Sequence, residues 1–141
     1  MSVSNPTGAS APTQAAARQI ENTIPILAVA DMKVSQRFYQ QTLEFTLDWG
    51  AGSICSVSRD GCPIMLMQDQ RPSNGTWVWI GCEDVQILYA QFMARGAKIV
   101  QPPTNQGYAL EMKVQDPDGH ILWFGSEPLK DTPFGQQPAT E

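Results

Sequence analysis

Apolar residues in this chain fall into a strand–helix–strands order that occurs twice. The first copy opens with Ile26-Leu27-Ala28-Val29-Ala30-Asp31 and runs on helically to Leu43. The second opens with Trp79-Ile80-Gly81-Cys82-Glu83-Asp84 and runs on to Arg95. Each copy closes on an Asp-Gly turn feeding an apolar strand. These are Asp60-Gly61 before Cys62-Pro63-Ile64-Met65-Leu66-Met67, and Asp118-Gly119 before His120-Ile121-Leu122-Trp123-Phe124. Alternation and turn residues predict strands at 23–29, 44–49, 53–59, 62–68, 77–82, 98–101, 108–115 and 120–125, with helices at 32–43 and 85–95. A duplicated unit of this kind pairs two half-sheets, and the groove between them is a natural ligand site.

Local chemistry supports these elements. Asp31 and Asp84 stand where an N-cap carboxylate would accept from free helix N–H groups. The second helix lines up Val85, Leu88, Tyr89, Phe92 and Met93 on one stripe, with Gly96 as its stop. The first is less regular, with Val34, Phe38, Tyr39 and Leu43 as its apolar positions. In the strand 77–82, Trp77, Trp79 and Gly81 share one face, and Val78, Ile80 and Cys82 the other. In the last strand Ile121 and Trp123 oppose Leu122 and Phe124. Both faces are apolar, so both need a cover. Helices can cover one; the other needs the partner half, a second subunit or a ligand.

Composition narrows the class. The chain has 141 residues, 42% of them apolar and 16% charged, which suits one globular domain. A net charge of −5 disfavours nucleic acid as a partner and weakly favours a cationic ligand. Cys55, Cys62 and Cys82 form an odd set without paired spacing, as expected of reduced thiols in the cytoplasm. No signal peptide or membrane-spanning run is expected. Residues 1–22 read as an N-terminal tail and 128–141 as a C-terminal tail. The domain at 23–127 comprises repeat 1 (about 23–68) and repeat 2 (about 76–127).

The motifs resemble those of the vicinal oxygen chelate superfamily, which includes glyoxalase I, extradiol dioxygenases and bleomycin-resistance proteins. The resemblance rests on Ile24-Pro25-Ile26-Leu27-Ala28-Val29-Ala30-Asp31 with Phe38-Tyr39 and Leu43-Glu44-Phe45, and on Glu83-Asp84-Val85 with Leu88-Tyr89. Its third part is Asp116-Pro117-Asp118-Gly119-His120 followed by Leu122-Trp123-Phe124-Gly125. It implies an α+β fold in which two βαβββ repeats form curved mixed sheets around an apolar cleft, with the helices on the outer face. Enzymes of the superfamily hold a divalent metal at four inward strand positions. By the resemblance these are Ile24, Met65, Trp77 and Trp123 here, and none is a donor for such an ion. A one-residue slip to Pro25, Leu66, Val78 or Leu122 does not restore a site. The chain is most similar to the metal-free bleomycin-resistance branch, whose members work as dimers that sequester an antibiotic in grooves between subunits. It departs from that branch at Gln106-Gly107-Tyr108, where Trp-Gly is common, and matches it at Glu111.

The expected ligand site comprises Trp49, Trp77, Trp79, Trp123 and Tyr108, with Met65 and Met67 as adaptable walls. Glu111 is the residue expected to meet a cationic group of an aromatic ligand. No cofactor, metal or catalytic residue is expected, and a homodimer is. His120 reads as a polar surface residue after a tight turn, Asp116 and Asp118 as turn formers, and Cys82 as a buried thiol. Two alternatives remain. One is a lyase, isomerase or dioxygenase with a shifted metal site built from Glu111, His120 and Glu83. The other is an interaction protein whose open sheet face is filled by dimer packing.

Overall fold

The computed structural model describes residues 18–71 and 75–138, so most of the expected N-terminal tail and Asn74 of the expected polar loop lie outside the described residues. β1 (Ile26–Val29) leads into α1 (Met32–Arg37), which widens into a π-helical turn at Phe38–Thr42. β2 (Thr46–Ala51), β3 (Ile54–Arg59) and β4 (Cys62–Gln68) complete the first repeat. β5 (Trp77–Gly81), α2 (Val85–Ala94), β6 (Lys98–Asn105), β7 (Leu110–Gln115) and β8 (Ile121–Ser126) form the second.

Each repeat folds into a four-stranded mixed sheet with the same topology. The orders are β1-β4-β3-β2 and β5-β8-β7-β6, with the first strand parallel to the last in each. This is the α+β arrangement of two βαβββ repeats that the family resemblance implies. Both N-caps form as expected: Asp31 accepts from the Lys33 and Val34 N–H groups, and Asp84 from those of Gln86 and Ile87. Each cap contributes about 1 kcal/mol.

The first helical segment closes on the π-helical turn. Leu43 N–H reaches back to the Phe38 carbonyl at 3.2 Å, one residue wider than an α-turn. Tyr39 and Leu43, four residues apart, both lie in the core, while Val34 stays exposed. In α2, Val85 and Phe92 are buried and Leu88 and Tyr89 half-buried, but Met93 is exposed and leaves the expected stripe. One continuous core joins the halves: Leu27, Val57, Ile64 and Leu66 from one sheet, Met112, Val114, Leu122 and Phe124 from the other, and Tyr39 and Phe92 from the helical segments.

The repeats are tied together by the turn Asp116-Pro117-Asp118-Gly119-His120. Asp116 Oδ2 accepts from the Tyr39 hydroxyl at 2.8 Å, and its Oδ1 accepts from the N–H groups of Asp118 and His120. Asp118 accepts from Ala30 N–H and the Ser35 hydroxyl, both at 2.8 Å. His120 is fully buried, which corrects its reading as a surface residue. Its Nδ1 accepts from Thr76 N–H at 2.8 Å and its Nε2 lies 2.7 Å from the Ala28 carbonyl, so the Nε2–H tautomer completes both bonds. Gly75 closes the same junction: a Cβ there would meet the Gly119 carbonyl oxygen at 2.5 Å.

The stretch expected as a C-terminal tail runs along β6. Asn105 Nδ2 donates to the Leu129 and Thr132 carbonyls, and its backbone N–H to the Gln136 carbonyl.

Two outcomes follow for the junction. His120→Phe keeps a ring but orphans Thr76 N–H and the Ala28 carbonyl, so urea denaturation should show a loss of about 2–4 kcal/mol. Burial holds the Asp116 carboxyl above its ordinary range, outweighing the opposing effects of the Tyr39 hydrogen bond, His120 and the turn N–H groups. The native state therefore binds this proton more readily than the unfolded chain, and the stability so gained is lost as pH rises through the raised value. The stability of the wild type should therefore fall relative to that of Asp116→Asn as pH rises above the ordinary carboxylate range; a constant or rising difference contradicts this.

Candidate functional site

The strand faces turned away from the core carry the predicted site residues. On the second sheet these are Trp77, Trp79, Glu111 and Trp123, with Tyr108 in the bend just before β7; on the first, Trp49, Met65 and Met67. The antiparallel and parallel registers align Trp79 with Trp123, and Trp123 with Lys113. On the first sheet Met65 lies between Ile26 and Ser56, and Met67 between Ala28 and Ile54. A bulge in β2 between Leu47 and Trp49 turns Asp48 toward Ser56 and Ser58, whose hydroxyls donate to its carboxylate at 3.1 and 2.8 Å.

Trp77 and Tyr108 are 63% and 68% exposed, and Trp79 is 55% exposed, so a large aromatic area faces outward. Trp79 is nevertheless fixed. Its indole lies across Gly81 and Gly125, where added Cβ atoms would meet the ring at 3.0 and 2.5 Å. Its Nε1–H donates to Glu111 Oε2 at 2.9 Å, and the Tyr108 hydroxyl donates to Glu111 Oε1 at 3.1 Å. Glu111 is fully buried, not solvated, and it joins two of the predicted aromatic residues. A cleft of about 510 Å³ opens beside Trp79 and Tyr108, with Gly81, Gly125, Ser126 and Glu127 on its walls.

At the other end of this face Trp77 and Trp123 meet edge to face, with centroids 5.5 Å apart. Lys113 places its ammonium 4.4 Å from the Trp123 centroid and 5.4 Å from that of Trp77. Sequence reading missed Lys113. Strand alternation carried the signal, because Lys113 stands two residues from Glu111 and so shares its face.

The residues present do not fit a divalent metal. Met65, Trp77 and Trp123 offer no hard donor, and the Lys113 ammonium against Trp123 would repel a cation there. Both Glu111 oxygens already accept hydrogen bonds. Among the described residues no group of three His, Cys, Asp or Glu side chains could hold a metal ion. Cys82 is half-buried, and burial followed by the charge of Asp84 pushes its thiol up to about 11, which keeps it from acting as a thiolate at neutral pH.

The sequence matches the family model of the glyoxalase/bleomycin resistance protein/dioxygenase superfamily over residues 19–124. The chain belongs to that superfamily. Solved structures share its fold. One is a bleomycin-binding protein from bleomycin-producing Streptomyces verticillus, in complex with copper(II)-bleomycin. It is 19% identical with a TM-score of 0.69, over 77% of this chain and 98% of that one. A bleomycin resistance determinant encoded on the transposon Tn5 is 18% identical, with a TM-score of 0.69, over 78% and 100%. TnmS3, an antibiotic-binding protein from Streptomyces sp. CB03234, is 21% identical, with a TM-score of 0.66, over 78% and 98%. No curated protein matches the sequence. No helix among the described residues is long and apolar enough to cross a membrane.

The geometry of this superfamily member predicts a sharp response at Gly125. Gly125→Ala should expel the Trp79 indole, break its bond to Glu111 and cost about 1–3 kcal/mol. Urea denaturation and the Trp79 indole N–H resonance both report it; an unmoved resonance would contradict the packing.

Proposed function

We propose that this protein binds and sequesters an aromatic small molecule of the antibiotic class, without a metal and without chemistry, as a cytoplasmic homodimer. The observation that carries the reading is the occupancy of the metal-bearing strand positions. By the resemblance Ile24, Met65, Trp77 and Trp123 stand there, with the Lys113 ammonium over both indoles, on a face that exposes aromatic rings to solvent. Indoles and a phenol offer large rigid contact area at low entropic cost, which suits a flat ligand. The antibiotic-binding proteins that share the fold support this ligand class. Dimerisation would cover open apolar faces on both sheets, where Ile26, Met67, Trp77 and Trp79 are exposed. On the second sheet a cationic group on the ligand would fit better at the Trp79–Tyr108 end, where Glu127 lines the cleft, because Lys113 already occupies the rings of Trp77 and Trp123.

Titration of chelator-treated protein with metal-free bleomycin and a panel of aromatic antibiotics tests this through tryptophan fluorescence. At least one compound should give saturable quenching, and Trp77→Ala or Trp79→Ala should weaken it about tenfold or more. Sedimentation equilibrium should give a dimer mass. A flat response across the panel would overturn the antibiotic-binding reading.

A further inference from the structure

Two side-chain N–H groups are buried without an acceptor among the described residues: Trp123 Nε1 and Gln101 Nε2. Lys113 stands between them in the sheet, paired with Gln101 on β6 and with Trp123 on β8. The ion pairs among the described residues are Arg59–Asp60, Arg71–Asp69 and Arg95–Glu44, so Lys113 has no carboxylate partner there. Its ammonium rests on indole rings instead.

This arrangement is unusual for a structural site. Buried donors normally have acceptors, and leaving one without costs stability. The indole is a donor only, so no rotation of its ring turns Nε1 into an acceptor. Three N–H donors, one of them cationic, thus lie on one strand row, where Trp123 and Lys113 offer no acceptor and the Gln101 amide N–H has none. The complement to such a row is an oxyanion, bound through charge-assisted hydrogen bonds.

We propose that the Gln101–Lys113–Trp123 row is a subsite for the carboxylate, or an equivalent oxyanion, of a planar aromatic ligand whose ring lies against Trp77 and Trp79. The proposal rests on the small-molecule-binding reading and names the ligand class for that same face. It reverses the charge preference expected from composition, and the reason is local. The protein's own ammonium fills the ring faces a ligand cation would use, and like charges at that distance repel. Access needs two side-chain movements. The Lys113 head swings from Trp123 toward the incoming oxyanion, and the exposed Trp77 indole turns aside. The net charge of −5 works against an anion at long range, so the preference comes from these three donors and persists at moderate salt.

Calorimetric titration of the full chain with 2-naphthoate, 2-naphthamide and 2-naphthylmethylammonium tests it. These share one ring system and differ in the charge of the substituent. The carboxylate should bind about tenfold or more tighter than the amide, with the ammonium weakest. Lys113→Met should abolish the carboxylate preference and leave amide binding in place, while Lys113→Arg retains it. Trp123→Phe, with folding checked by circular dichroism, should lower carboxylate affinity more than amide affinity. Ammonium or amide binding as tight as the carboxylate would overturn the oxyanion subsite and leave the aromatic-binding reading standing. Failure of all three probes, together with the flat antibiotic panel described above, would overturn both.

Discussion

The buried turn from Asp116 to His120 is the constraint on which the rest of the structure depends. Each repeat alone has one sheet and one short helical segment, too little to close a core. The turn joins them by satisfying polar groups from both. Asp116 takes the Tyr39 hydroxyl, Asp118 takes Ala30 N–H and the Ser35 hydroxyl, and His120 bridges Thr76 and Ala28. Tyr39, itself fully buried, then packs edge to face against Phe38 and Phe45. A motif that reads as a tight turn is therefore the fastening between the halves. Its carboxylates and imidazole are committed to that task, which is why the sole histidine is not available for catalysis or for metal ligation.

With the helices and one face of each sheet spent on this shared core, the opposite faces are left exposed and are the ones proposed to bind ligand. Their side chains are large, apolar and aromatic where superfamily enzymes would need hard donors. The face is also preorganised. Gly81 and Gly125 clear a bed for Trp79, and Glu111 holds its indole and the Tyr108 hydroxyl. Rigid rings held by buried hydrogen bonds lose little entropy on binding, which would favour the sequestration proposed above.

Much of the fold was legible because its signals are local. Asp31 and Asp84 cap helices by short-range bonds, and β4 and β5 are short apolar runs bounded by turn residues. The duplicated order also fixes the topology of both sheets. What escaped depends on neighbours distant in sequence. The burial of His120 arises from Thr76 and Ala28, 44 and 92 residues away. Asn105 anchors residues 129–136, so the closing stretch follows β6 although its composition resembles a tail. In the candidate site, alternation put Trp77 and Trp79 on one face of β5 and Trp123 on one face of β8, and Glu111 came from the family resemblance. The burial of Glu111 was not legible, because it depends on Trp79 and Tyr108 closing over it. Lys113 was legible in principle from its spacing to Glu111. Its contact with two indoles required the cross-strand register.

The central claim is that the outward aromatic face binds its ligand without a metal. The most direct measurement is the indole N–H spectrum of 15N-tryptophan-labelled protein, freed of metal by chelator, during titration with the antibiotic that quenches its fluorescence. The account predicts that the Trp77, Trp79 and Trp123 resonances move in step and saturate with the chelator still present. Resonances that move only after a divalent metal is restored, or that leave those three indoles unchanged, would contradict it.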